Sequence, residues 1–203
     1  MFEEVSAATL TRRHSISLDA WKGEFGDSYT RRNKTCSGDC TPFFASLPLR
    51  WKRMEVLEIG CNAGHNLLSL RSLGACVQGV EPNHRARTLA QKAGLQVVDG
   101  SAAELPFRDG QFDLCFTAGV LIHVDTEQLD GVLLEIHRTS RRHILAVEYH
   151  APSERRIVYR QGVTCIARDY EQEYLSRFPS LCLIADGEAP HPFNGCNWWL
   201  FQK

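Results

Sequence analysis

A chain of 203 residues suits one domain with a sizeable core, and 43% hydrophobic against 23% charged residues is a globular rather than a disordered mix. Lys and Arg number 23 against 24 Asp and Glu, so the basic excess of a nucleic-acid binder is missing. No apolar run is long enough to span a bilayer, and the opening MFEEVSAATLTRRHS lacks a signal peptide's basic-then-apolar order, so a cytoplasmic protein away from membranes is expected.

The first fifty residues read as helical and carry no strand. Within them WKGEFGDSYTRRN, 21–33, repeats Trp21, Phe25 and Tyr29 at helical spacing. From residue 54 the chain alternates. A strand is expected over 54–60 and a helix over 64–73, then a strand over 75–82 and a helix over 83–94, stopped by Gly94. A short strand follows at 95–100 and a fourth at 112–119, behind the turn signal Asp109-Gly110. Leu129, Val132, Leu133 and Ile136 make a helical stripe over 126–140, before a fifth strand at 143–149. Such alternation implies right-handed crossovers and a parallel sheet covered on both faces. The tail differs: a helix is expected over 165–178, and strands over 181–186 and 196–203 form an antiparallel hairpin at the sheet edge.

Eight cysteines raise the question of disulfides or metal. Cys76 and Cys115 sit inside strand-like apolar runs, which suits buried free thiols. Cys36 and Cys40 are spaced wider than a CxxC pair and no second pair follows, so no metal is expected.

The chemistry concentrates in VLEIGCNAGHNLLSL, 56–70. A strand strikes Glu58, then a loop holding Gly60, Cys61, Asn62 and Gly64 leads into a helix. A helix N-terminus beside parallel strand ends offers free backbone N–H groups, and the glycines permit positive φ and close approach. Asn62 takes the middle glycine's place of a dinucleotide loop, and Asn tolerates the left-handed region. Glu81, at the second strand's end, is placed to accept both hydroxyls of a ribose. Glu58 would repel a pyrophosphate and suits a ligand with a cationic end. Together these argue against NAD.

These residues resemble the class I S-adenosylmethionine-dependent methyltransferases, with VLEIGCNAG, GVEPN, DGSAAELPFRDGQFD and LCFTAGVLIHV matching four motifs in order. A narrower likeness, carried by WKGEFGDSYTRRN, FTAGVLIHV, EYHAPSERRIVYR, ARDYEQEYL and WWLFQK, is to the pseudaminic-acid biosynthesis-associated methylases. The resemblance implies one α/β domain over 1–203, a Rossmann-like doubly wound sheet. It would have seven strands, mostly parallel with the last antiparallel, with a helical lid over 1–50 and a catalytic core over 51–203. It also implies S-adenosylmethionine as cofactor. Gly60, Cys61, Asn62 and Gly64 would wrap its methionine part, near Glu58. Glu81, beside Pro82, would hold the ribose. Ser101 and Ala102 would meet the adenine. Thr117, Ala118 and Gly119 would pass near the carboxyl end or sulfonium. Tyr29 and Arg32, in the lid with Trp21, would face the amino-acid end.

For the acceptor, the loop past the fifth strand offers Tyr149, Tyr159 and Arg160. His123, at the fourth strand's rim, reads either as a structural histidine or as a general base, and Glu148 as a base, a substrate ligand or a partner of Arg160. The expected protein methylates a small sugar-derived or amino-acid-like molecule as a monomer or homodimer. The rivals are methylation of protein or RNA, and a non-catalytic cofactor-binding partner.

Overall fold

The structure, a computed structural model, describes residues 18–33, 38–158, 164–193 and 195–203. Three helices lead: α1 (Leu18–Lys22), α2 (Glu24–Asn33) and α3 (Thr41–Ser46). The alternating unit follows as β1 (Glu55–Ile59), α4 (His65–Ser72), β2 (Cys76–Val80), α5 (His84–Lys92), β3 (Gln96–Val98) and β4 (Phe112–Ala118). A single 3-10 turn (Leu121–His123) precedes α6 (Thr126–Thr139) and β5 (Ser140–Glu148). The tail holds β6 (Arg155–Val158), β7 (Thr164–Ala167), α7 (Tyr170–Arg177), β8 (Cys182–Glu188) and β9 (Asn197–Gln202).

Seven strands form one sheet in the order β3-β2-β1-β4-β5-β9-β8. β1 pairs in parallel with β2 and β4, and β9 runs antiparallel to both β5 and β8. The doubly wound seven-stranded sheet with its antiparallel last strand is therefore as expected. The interior strands are apolar throughout because successive side chains feed opposite faces. Val56, Leu114 and Phe116 join Phe43, Phe44, Leu67 and Leu70 on the α3–α4 side, while Leu57 and Cys115 meet α6 and α7 on the other. The expected α6 stripe is buried in full, at roughly 1.5–3 kcal/mol for each large side chain.

The helix expected over 165–178 is corrected at its start. Residues Thr164–Ala167 are β7, paired antiparallel with β6, and the helix begins at Tyr170, where Asp169 accepts a bond of 3.2 Å from the Gln172 N–H. All four β7 residues are buried, so no exposed helical face exists there. Tyr159 and Arg160 lie outside the described residues.

The order of strands reverses between β1 and β4. Chain leaving β1 crosses toward β2, and chain leaving β4 crosses toward β5, so a crevice opens beyond their C-terminal ends.

Candidate functional site

The loop after β1 is shaped by left-handed residues. Gly60 (φ 72°) and Asn62 (φ 47°) both adopt positive φ. A Cβ on Gly60 would lie 2.6 Å from Val120 Cγ2, so only glycine admits the β4 loop this close. The Gly60 and Cys61 N–H groups donate to Val80 O at 2.8 and 3.1 Å, tying the loop to the end of β2. Glu81 completes the tie: its carboxylate accepts from the Asn62 N–H and the Asn83 N–H, each at 2.8 Å. Burial raises the Glu81 carboxyl above its ordinary range, against those two donors and Arg87. Each carboxylate oxygen retains a further acceptor site.

Beyond these strand ends lies a cavity of about 400 Å³, within the range of ligand pockets. Of the expected site residues, Trp21, Tyr29, Glu58, Gly60, Cys61, Asn62, Glu81, Pro82, Ser101, Ala102, Ala118, Gly119 and His123 line it. They arrive from the lid helices and from the loops after β1, β2, β3 and β4.

Glu58 is only 2% exposed and stands on β1. Its Oε1 accepts from Asn66 Nδ2 at 2.6 Å, while Oε2 is buried without a partner. Burial pushes the carboxyl up to about 8, with Asn66 opposing and Glu81 adding to the rise. A buried unpaired carboxylate oxygen is costly, and a cation or donor in the cavity would relieve it.

His123 ends the 3-10 turn with its ring 4.9 Å from that of Trp21 and Nδ1 3.9 Å from Cys165 Sγ. Burial lowers its pKa to about 4, so the imidazole is neutral at pH 7 and can accept a proton or hydrogen bond.

Helices α1 and α2 are held by a helix cap. Asn83 caps α5, with Oδ1 accepting from the Ala86 N–H at 2.8 Å. Its Nδ2 donates to Trp21 O and to Asp27 Oδ1, both at 3.0 Å. Asn62 Nδ2 reaches Thr30 Oγ1 at 3.4 Å. Trp21 packs edge-on against Phe25 and Tyr29 at 5.1 and 5.2 Å, and Trp21 and Tyr29 of this cluster line the cavity.

Five expected residues stand elsewhere. Arg32 is half-buried but does not line the cavity, because the helical phase of α2 turns Gly26, Tyr29, Thr30 and Asn33 inward instead. The open side of Gly64 (φ 82°) points at Leu95 Cδ1, 2.2 Å from where a Cβ would be, which makes it a packing and N-cap residue. Thr117 is buried in β4 behind the cavity wall. Glu148 is fully buried and accepts from the Val120 and Ile122 N–H groups at 3.2 and 3.3 Å, so it holds the loop rather than facing a ligand. Tyr149 is half-buried past β5 and does not line the cavity. Cys61 lines the cavity but packs its sulfur toward Gly79, where a Cβ would sit 2.5 Å away.

Asn66 and Asn83, at helix starts where a polar residue is ordinarily a cap, also line the cavity, as do Pro192 and Phe193 from the β8–β9 loop. The cue was present for Asn66, since it sits one helical turn past an acid-bearing strand. For Phe193 no local signal exists; Phe43, at 5.2 Å, places it.

Strand order, the glycine loop at the reversal and the acid at the end of β2 are the arrangement of the class I S-adenosylmethionine-dependent methyltransferase fold. Residues 57–143 match the family described as a methyltransferase domain. A curated Synechocystis protein described as an uncharacterized methyltransferase is 30% identical over 103 residues, covering 49% of each chain. One from Oceanobacillus iheyensis with the same description is 24% identical over 130 residues, covering 59% of this chain and 61% of that one. The chain spans about half the length of the first of these.

Among solved structures, magnesium protoporphyrin IX methyltransferase from Synechocystis, with bound S-adenosylmethionine, superposes with a TM-score of 0.69 at 14% identity, covering 95% of this chain and 100% of that one. The 1,6-didemethyltoxoflavin-N1-methyltransferase of Burkholderia thailandensis, with its acceptor and S-adenosylhomocysteine, gives 0.70 at 19%, covering 91% and 88%. At these identities the likeness is one of fold. The residues present fit S-adenosylmethionine: the cavity combines the unpartnered Glu58 oxygen, the ribose-type acid Glu81 and an open left-handed Gly119 (φ 66°) with nothing within 4 Å of a Cβ position.

Proposed function

We propose that the chain is a methyltransferase that moves a methyl group from S-adenosylmethionine to a small-molecule acceptor. The observation that carries the reading is the buried, unpartnered Glu58 oxygen in a cavity at the sheet's reversal point, a site suited to a cation. Glu81 would hold the ribose, the loops at 60–62 and 118–119 the methionine part, and Ser101 and Ala102 the adenine. When bound, S-adenosylmethionine supplies an electrophilic methyl carbon; the acceptor's lone pair bonds to it as the carbon–sulfur bond breaks, and the sulfur keeps that pair as a neutral thioether.

The chain's own work is alignment and exclusion of water. Trp21, Tyr29 and Phe193 wall the cavity, which puts the acceptor in a dry, oriented setting. His123, neutral and partly open to the cavity, takes the proton that a hydroxyl or amine acceptor loses. A sugar-derived or amino-acid-like metabolite is the acceptor class, on the strength of the likeness to the pseudaminic-acid-associated methylases. The seven cysteines among the described residues are free thiols, which supports a reducing compartment such as the cytoplasm. No helix among the described residues is long and apolar enough to cross a membrane.

The test is a metabolite extract incubated with the protein and isotopically labelled methyl donor, read by mass spectrometry. Labelled small molecules are expected, and His123→Ala should lower their yield far more than it lowers affinity for S-adenosylhomocysteine. A protein that binds neither S-adenosylmethionine nor its demethylated product ends the proposal.

A further inference from the structure

We propose that Arg168 is a positioning residue which, together with Glu148, fixes the turn that presents His123 to the cavity. The inference rests on the functional reading above. A three-residue 3-10 turn cannot satisfy its own flanking backbone groups. Here its donors and acceptors are divided between a carboxyl group and a guanidinium, both fully buried. The Val120 and Ile122 N–H groups donate to Glu148 Oε1 and Oε2 at 3.2 and 3.3 Å. On the other side Arg168 Nη1 donates to Leu121 O at 3.3 Å and Nη2 to Val124 O at 2.9 Å. His123 lies between the last two anchor points.

The guanidinium is also fastened beyond the turn. Nη2 also reaches Thr126 Oγ1 at 3.2 Å and Nε reaches Glu154 Oε2 at 3.3 Å, while Thr126 Oγ1 donates to that same Glu154 oxygen at 2.6 Å. The backbone of Arg168 is fastened as well: its N–H donates to Tyr149 O at 3.3 Å and its O accepts from the Ala151 N–H at 3.2 Å. It thus hangs from the exit of β5, the strand that carries Glu148. Burying a guanidinium costs several kcal/mol before its hydrogen bonds return any of it, and an apolar side chain would fill the space at less risk. What an apolar residue cannot do is grip the carbonyls of Leu121 and Val124, one and two positions from the Glu148-bound amide of Ile122. Lysine cannot do it either, since the grip needs the planar fork.

The test uses histidine labelled with nitrogen-15 in the whole chain, with NMR titration of the His123 ring in wild type, Arg168→Lys, Arg168→Met and Glu148→Gln. S-adenosylhomocysteine affinity by calorimetry and cooperative urea unfolding are measured alongside. A residue that merely stabilises the fold would leave the His123 ring in its buried setting whenever the variant is folded. A positioning residue releases it: the midpoint should move from about 4 toward the ordinary 6.5 in the Arg168 variants. S-adenosylhomocysteine affinity should change by less than about tenfold while methyl transfer falls further. An unmoved His123 midpoint in the folded variants overturns the proposal. So does failure of all three variants to fold, which would make the pair a stability element. If wild type binds S-adenosylhomocysteine but labels nothing, the functional reading fails, and the His123 titration still decides the clamp.

Discussion

Replacing Gly26 with alanine should weaken cofactor binding, although on an exposed helix the same change would help. Gly26 lies inside α2, where alanine is favoured over glycine by about 1 kcal/mol. Its φ is not left-handed, so no backbone strain opposes the change. The obstacle is room: the new Cβ would stand 1.9 Å from Trp21 O and 2.8 Å from Asn83 Nδ2. Neither is a flexible tip, since one is backbone and the other is the latch holding α1 and α2 to the cap of α5. The lid must move outward, and Asn83 then loses its bonds to Trp21 O and Asp27. Two such bonds contribute about 2–3 kcal/mol, given that one partner is a carboxylate. Set against the helical gain, the docked lid is disfavoured by about 1–2 kcal/mol, or roughly tenfold in affinity for a ligand that needs the lid closed. Calorimetry with S-adenosylhomocysteine reads the affinity, and amide exchange reads α2. Exchange in α2 should quicken while the sheet's protection stays as it was. Equal or tighter binding with unchanged α2 exchange would refute the argument.

Glu81→Ala strands the buried N–H groups of Asn62 and Asn83 and removes the ribose acceptor, so S-adenosylhomocysteine binding should weaken severalfold or more; unchanged calorimetric affinity would remove that assignment. Gly64→Ala forces an L residue to φ 82° at a cost of about 1–2 kcal/mol, and drives its Cβ into Leu95; a thermal midpoint equal to wild type would contradict this. Glu58 should favour the folded apo protein less and less as pH rises from 4.5 to about 8, most visibly above about 6.5, where the opposing gain from His123, lowered from 6.5 to about 4, is complete. The folded Glu58 carboxyl is raised to about 8, so the native state keeps a proton that the unfolded chain releases above its ordinary 4.5. Glu148, raised to about 7 by burial, acts in the same direction. Urea melts across that window should show a shallower decline in Glu58→Gln, and parallel slopes would place the titrating group elsewhere.

What the sequence makes legible is local. β1, β2, β4 and α6 are apolar runs with glycine or asparagine at their ends, and the strand–loop–helix unit at 56–70 carries its own chemistry in sequence order. The lid aromatics were readable for the same reason, since Trp21, Phe25 and Tyr29 share one helical face. Phase is where the reading slips. Arg32 lies in the same segment as Tyr29, but three residues carry it about 300° around the helix and Thr30 and Asn33 take the inner positions. Glu148 ends a strand whose neighbours are buried on both faces, and a loop folds back over it, so proximity in sequence to an expected substrate loop misplaced it. β7 is not legible as a strand because Cys165, Ile166 and Ala167 form an apolar run too short to show a period, and its partner β6 (RRIV) carries no alternation. Asn83 and Arg168 act through partners far along the chain, which a linear reading does not contain.

The electrostatics of the cavity link these parts. Among the described residues that line it, Glu58 and Glu81 are the carboxylates, and burial keeps His65 and His123 toward the neutral form. Burial holds both acids toward the protonated form in the apo protein, Glu58 with its carboxyl pushed up to about 8, so a cationic ligand would ionise them as it binds; but a field that favours the ground state does not speed a reaction in which that cation disappears. The difficulty resolves if positive charge is moved rather than lost. When a hydroxyl or amine acceptor gives its proton to His123, the imidazolium becomes the cation that the two carboxylates see, and the cavity's net charge is unchanged through the transfer. Burial, which lowers the His123 pKa to about 4, would keep the ring neutral in the apo protein, and the two acids would have to favour its charged form for it to act as that acceptor. This works only if the imidazole stands at a fixed distance from both the acceptor and Glu58, which is the constraint that the buried Arg168 and Glu148 impose on the turn between them.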